Sequence, residues 1–199
     1  MKHQEKITKV TDQFLPGLLA GRFKEIRECY VKNPEILLKD FLETLKTLFD
    51  DTKRKQDEGK KGKVAYIYFS FLYSNVLLNR HGYRVETLDG QFYLDDCEIS
   101  GMWCPKLIFD YLEEDVQIIR RKIQGEYIPL SKYDLLELRN SHLHSYYSCA
   151  FSYLKEFISG IALMKSFKDM EKEDNIKIIF GEYMDMYTCI GEINGKEQK

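Results

Sequence analysis

Apolar residues recur along most of this chain at three- and four-residue intervals, the spacing of one-sided helices. Ile7, Val10 and Phe14 open such a pattern, Pro16-Gly17 interrupts it, and a second short helix is expected over about Leu18 to Tyr30. Asn33-Pro34-Glu35 has the makings of a helix start: a capping asparagine, a proline at the first helical position and an acid in the first turn. The stripe Ile36, Leu37, Phe41, Leu45, Leu48 and Phe49 follows, and a charged loop, Lys53 to Gly62, ends it. Lys63 to Arg80 is apolar almost all round. This predicts a helix central to a bundle, with a buried strand beginning near Ala65 as the competing reading. Length favours the helix, as does the ending Arg80-His81-Gly82.

Period two takes over at Tyr83 to Asp95. Asp89-Gly90 as a two-residue turn predicts a β-hairpin with Val85 opposite Leu94, Thr87 opposite Phe92 and Arg84 opposite Asp95. Helical spacing returns from about Met102 or Pro105 to Gln124, with Gly125 as its stop. Ser131-Lys132-Tyr133-Asp134 has capping-box spacing and starts the longest helical pattern, which reaches about Met164 with a bend at Gly160. Ile176 to Phe180 and Met186 to Ile190 read as short strands, and Asn194 to Lys199 as a frayed polar end. The expected fold is mainly α: one domain over residues 1–199, an up-and-down helical bundle with an inserted β-hairpin (83–95) and short C-terminal strands (about 176–190).

Composition narrows the class. With 199 residues and 44% hydrophobic content, the chain can bury a full core. A net charge of -2 excludes binding nucleic acid by bulk charge, so RNA would need a local patch such as Lys53 to Lys63 or Arg120-Arg121-Lys122; solvated helix ends are the ordinary role of such runs. Cys29, Cys97, Cys104, Cys149 and Cys189 are odd in number and irregular in spacing, as in a reducing compartment. The polar N-terminus has no apolar leader, and Val64 to Leu78 is too short and polar for a membrane span, so a cytoplasmic protein without a membrane partner is expected.

Candidate chemistry gathers in Arg139-Asn140-Ser141-His142-Leu143-His144-Ser145-Tyr146, which holds two of the four histidines. The pattern Arg139-Asn140-x-x-x-His144-x-Tyr146 resembles the signature of the HEPN superfamily. The resemblance implies a helical bundle that forms a homodimer, with motifs from both subunits lining a cleft. It also implies metal-independent cleavage of single-stranded RNA, in defence or toxin–antitoxin systems where a cognate antitoxin or regulatory protein is a partner. The residue types suit that reaction. His144 can take the 2′-hydroxyl proton or protonate the leaving oxygen. Arg139 can hold phosphate oxygens in the charged transition state. Asn140, one turn before His144, can orient the imidazole, and Tyr146 can stack on a base or bond to phosphate.

Residues five apart on a helix point about 140° apart. Arg139 and His144 therefore share a face poorly, although the long arginine can curl round, and a two-fold dimer is expected to bring one chain's histidine to the other's arginine. The ordinary alternative is an arginine paired with an acid and a histidine satisfied in the core; on that reading the chain is a non-catalytic helical module binding RNA or protein, its motif serving dimer packing. A weaker third reading is a redox protein centred on Cys104 in Trp103-Cys104-Pro105. No cofactor or metal is expected: His142 and His144 diverge on a helix, and the cysteines lack zinc spacing. Asp95-Asp96-x-Glu98 reads as an exposed acidic turn rather than a cation site.

Overall fold

In the computed structural model, which describes residues 3–78 and 80–195, helix α1 runs over His3–Lys32, α2 over Glu35–Asp57 and strand β1 over Val64–Phe71. Helix α3 (Tyr73–Leu77), β2 (Tyr83–Leu88), β3 (Ser100–Trp103), α4 (Lys106–Gly125) and α5 (Lys132–Phe157) follow. A 3-10 segment (Ile158–Leu163), α6 (Lys165–Asp169), β4 (Lys172–Glu182) and β5 (Tyr187–Asn194) complete the chain. Of the frayed polar end expected over Asn194 to Lys199, Asn194 instead belongs to β5, and residues 196–199 lie outside the described residues. The fold is mixed α/β, with helices predominating over a five-stranded sheet of order β3-β2-β1-β4-β5. It is not the mainly α up-and-down bundle that the apolar spacing predicts. Two compact units divide it: Met1–Leu37 with Lys106–Tyr153, and Leu38–Pro105 with Leu154–Lys199.

The first unit is helical. His3 meets Asp134, Phe23 meets Tyr146 and Tyr30 meets Tyr153, so α1 and α5 run in the same direction. Ile7 packs with Ile123, and Arg22 reaches Asp115, so α4 runs opposite to α1. Contrary to the expected break, α1 continues through Pro16. Proline removes one helical hydrogen bond, but Pro16 and Gly17 are exposed, where water can take the released carbonyl. The start of α5 is built as its sequence predicts. Asp134 N–H donates to Ser131 Oγ (3.1 Å), and Ser131 N–H donates back to the Asp134 carboxylate (2.8 Å). The Ser131 hydroxyl also donates to the Asp134 carboxylate (2.7 Å), and this bond, the Ser131 N–H and His3 lower the Asp134 pKa.

In the second unit, β1 is the central strand, antiparallel to β2 and parallel to β4. This corrects the helix expected over Lys63 to Arg80. Ile67, Tyr68 and Phe69 are all buried, because the strand is covered on both faces. Phe69 stacks on Phe41 of α2 (6.1 Å), while Tyr68 lies on the opposite face near Tyr93 (6.1 Å). Alternation vanishes in a doubly covered strand, so its sequence imitates an all-round apolar helix.

The hairpin differs too. β2 pairs with β3, aligning Val85 with Gly101 and Arg84 with Met102, and residues 91–95 form no strand. Asp89 Oδ1 accepts from Gln91 N–H (2.8 Å), an Asx turn, and the chain enters a 3-10 turn at Phe92–Leu94. Buried Lys61 explains the detour. Its ammonium donates to Asp95, to Thr87 O (2.8 Å) and to Cys97 O (2.9 Å), while Asp95 accepts from Asp89 N–H (2.9 Å) and Cys97 N–H (3.0 Å). Asp95 serves that cation and not Arg84, which pairs with Glu86 and Glu98. The first half of the charged loop expected over Lys53 to Gly62 is helix, and charges are consumed locally: Lys53 by Asp57, Arg54 by Asp51, Lys55 and Lys60 by Glu58.

Candidate functional site

Helix α5 carries the whole Arg139–Tyr146 motif and sorts it by face. Leu138, His142, Leu143, Tyr146, Tyr147, Ala150 and Tyr153 are buried, whereas Asn140, His144 and Ser148 are exposed. Arg139 leans toward the buried side, its side chain 14% exposed, and forms an ion pair with Glu113 of α4. His144 faces solvent on the other side. Within one chain the structure therefore keeps the two apart, as 3.6 residues per turn demands.

Tyr146 is fully buried, and its hydroxyl donates to Asp115. Asp115, 1% exposed, also accepts from Arg22 Nη2 (2.6 Å) and Nε (3.1 Å). Arg22 Nη1 extends to Glu25 (2.7 Å), and its guanidinium lies 4.1 Å above the Tyr111 ring. Burial and the adjacent carboxylate raise the Tyr146 pKa, and the Asp115 hydrogen bond raises that of Arg22. Tyr146 is thereby sealed in an interior network, out of reach of a base or phosphate. His142 is buried as well. Its Nδ1 lies 2.8 Å from Ser141 Oγ, and burial lowers its pKa, keeping the ring neutral.

One open groove of about 510 Å³ remains beside the motif. His144, Ser145, Ser148 and Cys149 of α5 line it together with Phe23 and Arg27 of α1. Burial pushes the Cys149 thiol up to about 11, so it is no ready nucleophile. The groove places a histidine and an arginine, with the three serines Ser145, Ser148 and Ser152, along one surface. Arg27 belongs to no motif in the sequence. A lone arginine in a charged helix carries no local signal, and only the parallel packing of α1 on α5 brings it to His144.

All five cysteines are free. Among the described residues no three histidine, cysteine or acidic side chains are grouped to hold a metal, and no helix is long and apolar enough to cross a membrane. No protein-family model, curated protein or solved structure matches this chain.

Proposed function

We propose that the helical unit is a HEPN-like, metal-independent endoribonuclease acting on single-stranded RNA as a homodimer. In this reading His144 moves the proton between the 2′-hydroxyl and the leaving oxygen. Arg27, in the same groove, takes the phosphate-holding role that the motif would give to Arg139. Asn140 is exposed one helical turn before His144, while Arg139 and Tyr146 hold α5 in place through Glu113 and Asp115. The observation that carries the reading is the shared groove of exposed His144 and Arg27. The defence or toxin–antitoxin setting and a cognate antitoxin rest on the motif resemblance alone.

Single-stranded RNA incubated with the protein in chelator should yield 2′,3′-cyclic phosphate ends. His144→Ala should lose on the order of 10²–10⁴-fold in rate with folding intact, and Arg27→Ala should weaken cutting as well. Equal cutting by wild type and His144→Ala would assign the activity to a contaminant. A strictly monomeric active preparation in sedimentation equilibrium would remove the dimer.

A second reading, a non-catalytic helical module that binds RNA or protein, is favoured by the engagement of Arg139 with Glu113 and the burial of Tyr146. RNA that binds and is never cut selects it.

A further inference from the structure

Another face of the helical unit has no part in the motif. Helix α4 ends in a Schellman turn: Ile128 N–H donates to Ile123 O (3.4 Å), and Tyr127 N–H to Gln124 O (3.0 Å). The flanking isoleucines close the motif by joining one buried cluster. The residue between the helix end and Ile128 must turn left-handed, a position where glycine is usual. Here it is Tyr127, at φ 56° and 97% exposed. A tyrosine there costs backbone energy and returns no packing to the fold.

Beside it runs an open groove of about 790 Å³, lined by Lys6 and Lys9 of α1, Lys122 of α4, and by His3 and Glu126. Among the described residues none of the three lysines makes an ion pair; Lys122 instead sits 6.0 Å from the Phe14 ring centroid. Some other lysines are paired along their own helices, as Lys24 is with Glu28 and Lys46 with Asp50. His3 is turned toward Asp134, which leaves Glu126 as the carboxylate lining the groove.

We propose that this groove binds a single-stranded nucleic acid, with Lys6, Lys9 and Lys122 on successive phosphates and one base stacked on Tyr127. Unpaired cations spaced along a groove suit a polyphosphate backbone, and a projecting aromatic ring supplies a sequence-tolerant platform. An acidic protein would use the lysines and has no need of the ring. The inference adds a strand-holding surface to the nuclease reading, yet it requires only that the protein bind RNA and not that it cut.

The test uses the full chain carrying His144→Ala, so that the probe stays intact, and a labelled RNA of about a dozen nucleotides. Fluorescence anisotropy compares this RNA with an abasic strand of equal length. Tyr127→Gly should weaken RNA binding about tenfold, as loss of one base–aromatic stack implies. The same change should leave the melting temperature equal or higher, since it relieves the left-handed strain. Tyr127→Phe should retain affinity, and the abasic strand should bind like the glycine variant. Lys6→Glu with Lys9→Glu should weaken binding and flatten its salt dependence. Unchanged affinity in Tyr127→Gly, or equal binding of the abasic strand, overturns the proposal in favour of a general polyanion site. Unchanged affinity after charge reversal overturns it outright. Groove-dependent binding without cutting by the wild type would sink only the nuclease; cutting with groove-independent binding would sink only this surface.

Discussion

Replacing Tyr146 by phenylalanine separates a structural from a catalytic tyrosine. The ring keeps its burial and its edge contact with Phe23, 5.6 Å between centroids, so no cavity opens. The loss is one hydrogen bond to an ionised acceptor, about 1.5–3 kcal/mol in general. Asp115 still holds Arg22 through both of its oxygens, so the low end, about 1.5 kcal/mol, is expected. For a chain of this length that is about 3–6 °C in melting temperature. Asp115→Asn should cost about 3 kcal/mol, since it removes the charge from a buried pair. Arg22 keeps Glu25 at 2.7 Å and Glu114 at 3.5 Å, which holds the cost to that figure. The two changes act on one bond, so their combination should cost less than their sum by about 1 kcal/mol. Far-ultraviolet circular dichroism during urea unfolding follows the helices, while the single tryptophan, Trp103 of β3, follows the sheet unit by fluorescence. RNA cleavage should remain within about twofold of wild type once stability is matched. A Tyr146→Phe protein as stable as wild type but inactive on RNA would show that the Asp115 bond is not what the hydroxyl is for.

Two further outcomes follow from buried groups. Burial holds the His142 pKa below the ordinary 6.5, so on acidification the unfolded chain takes up the proton first. Stability should be undiminished above that value and should fall as pH drops from it toward the folded-state pKa, by at most about 1.4 kcal/mol per unit. Urea titrations at stepped pH should show this slope reduced in His142→Gln, and an unaltered slope would shift the pH dependence to other groups. Lys61→Met should cost about 3–5 kcal/mol, because Asp95 would stay buried with its cation gone. Adding Asp95→Asn should recover part of that loss in the same unfolding assay, and a purely additive pair would refute the coupling.

Elements with one buried face and one wet face were readable in the chain. Asn33-Pro34-Glu35 does precede α2, the Ser131–Asp134 box does start α5, and the late β-rich tail does form two paired strands. Where both faces are covered, the code loses its period. Val64–Phe71 lacks polar alternation because α2 lies on one side and the Phe92–Tyr93 turn on the other. The hairpin does not form for a long-range reason: local spacing pairs Asp95 with a neighbouring strand, but its partner is Lys61, far earlier in the chain. Asp89-Gly90 does turn the chain, yet the chain returns to β2 only at Ser100.

Under the nuclease proposal, the division of the motif between two helix faces bears on which arginine would serve His144. Arg139 sits on the side of α5 that packs against α4 and would have to leave Glu113 before meeting a phosphate. In the proposed dimer, a second protomer approaching His144 would meet the opposite face of the helix and would leave Arg139 of the first chain with Glu113. Arg27, whose guanidinium lies 5.4 Å from the Tyr30 ring centroid, is already set by α1 in the groove that His144 lines. Arg139→Ala and Arg27→Ala should therefore separate. The first should lower melting temperature and leave the rate per folded molecule near wild type, whereas the second should lower the rate with the melting temperature unchanged. The reverse ordering would return the phosphate to Arg139 and require α5 to present both faces of its motif across a subunit boundary.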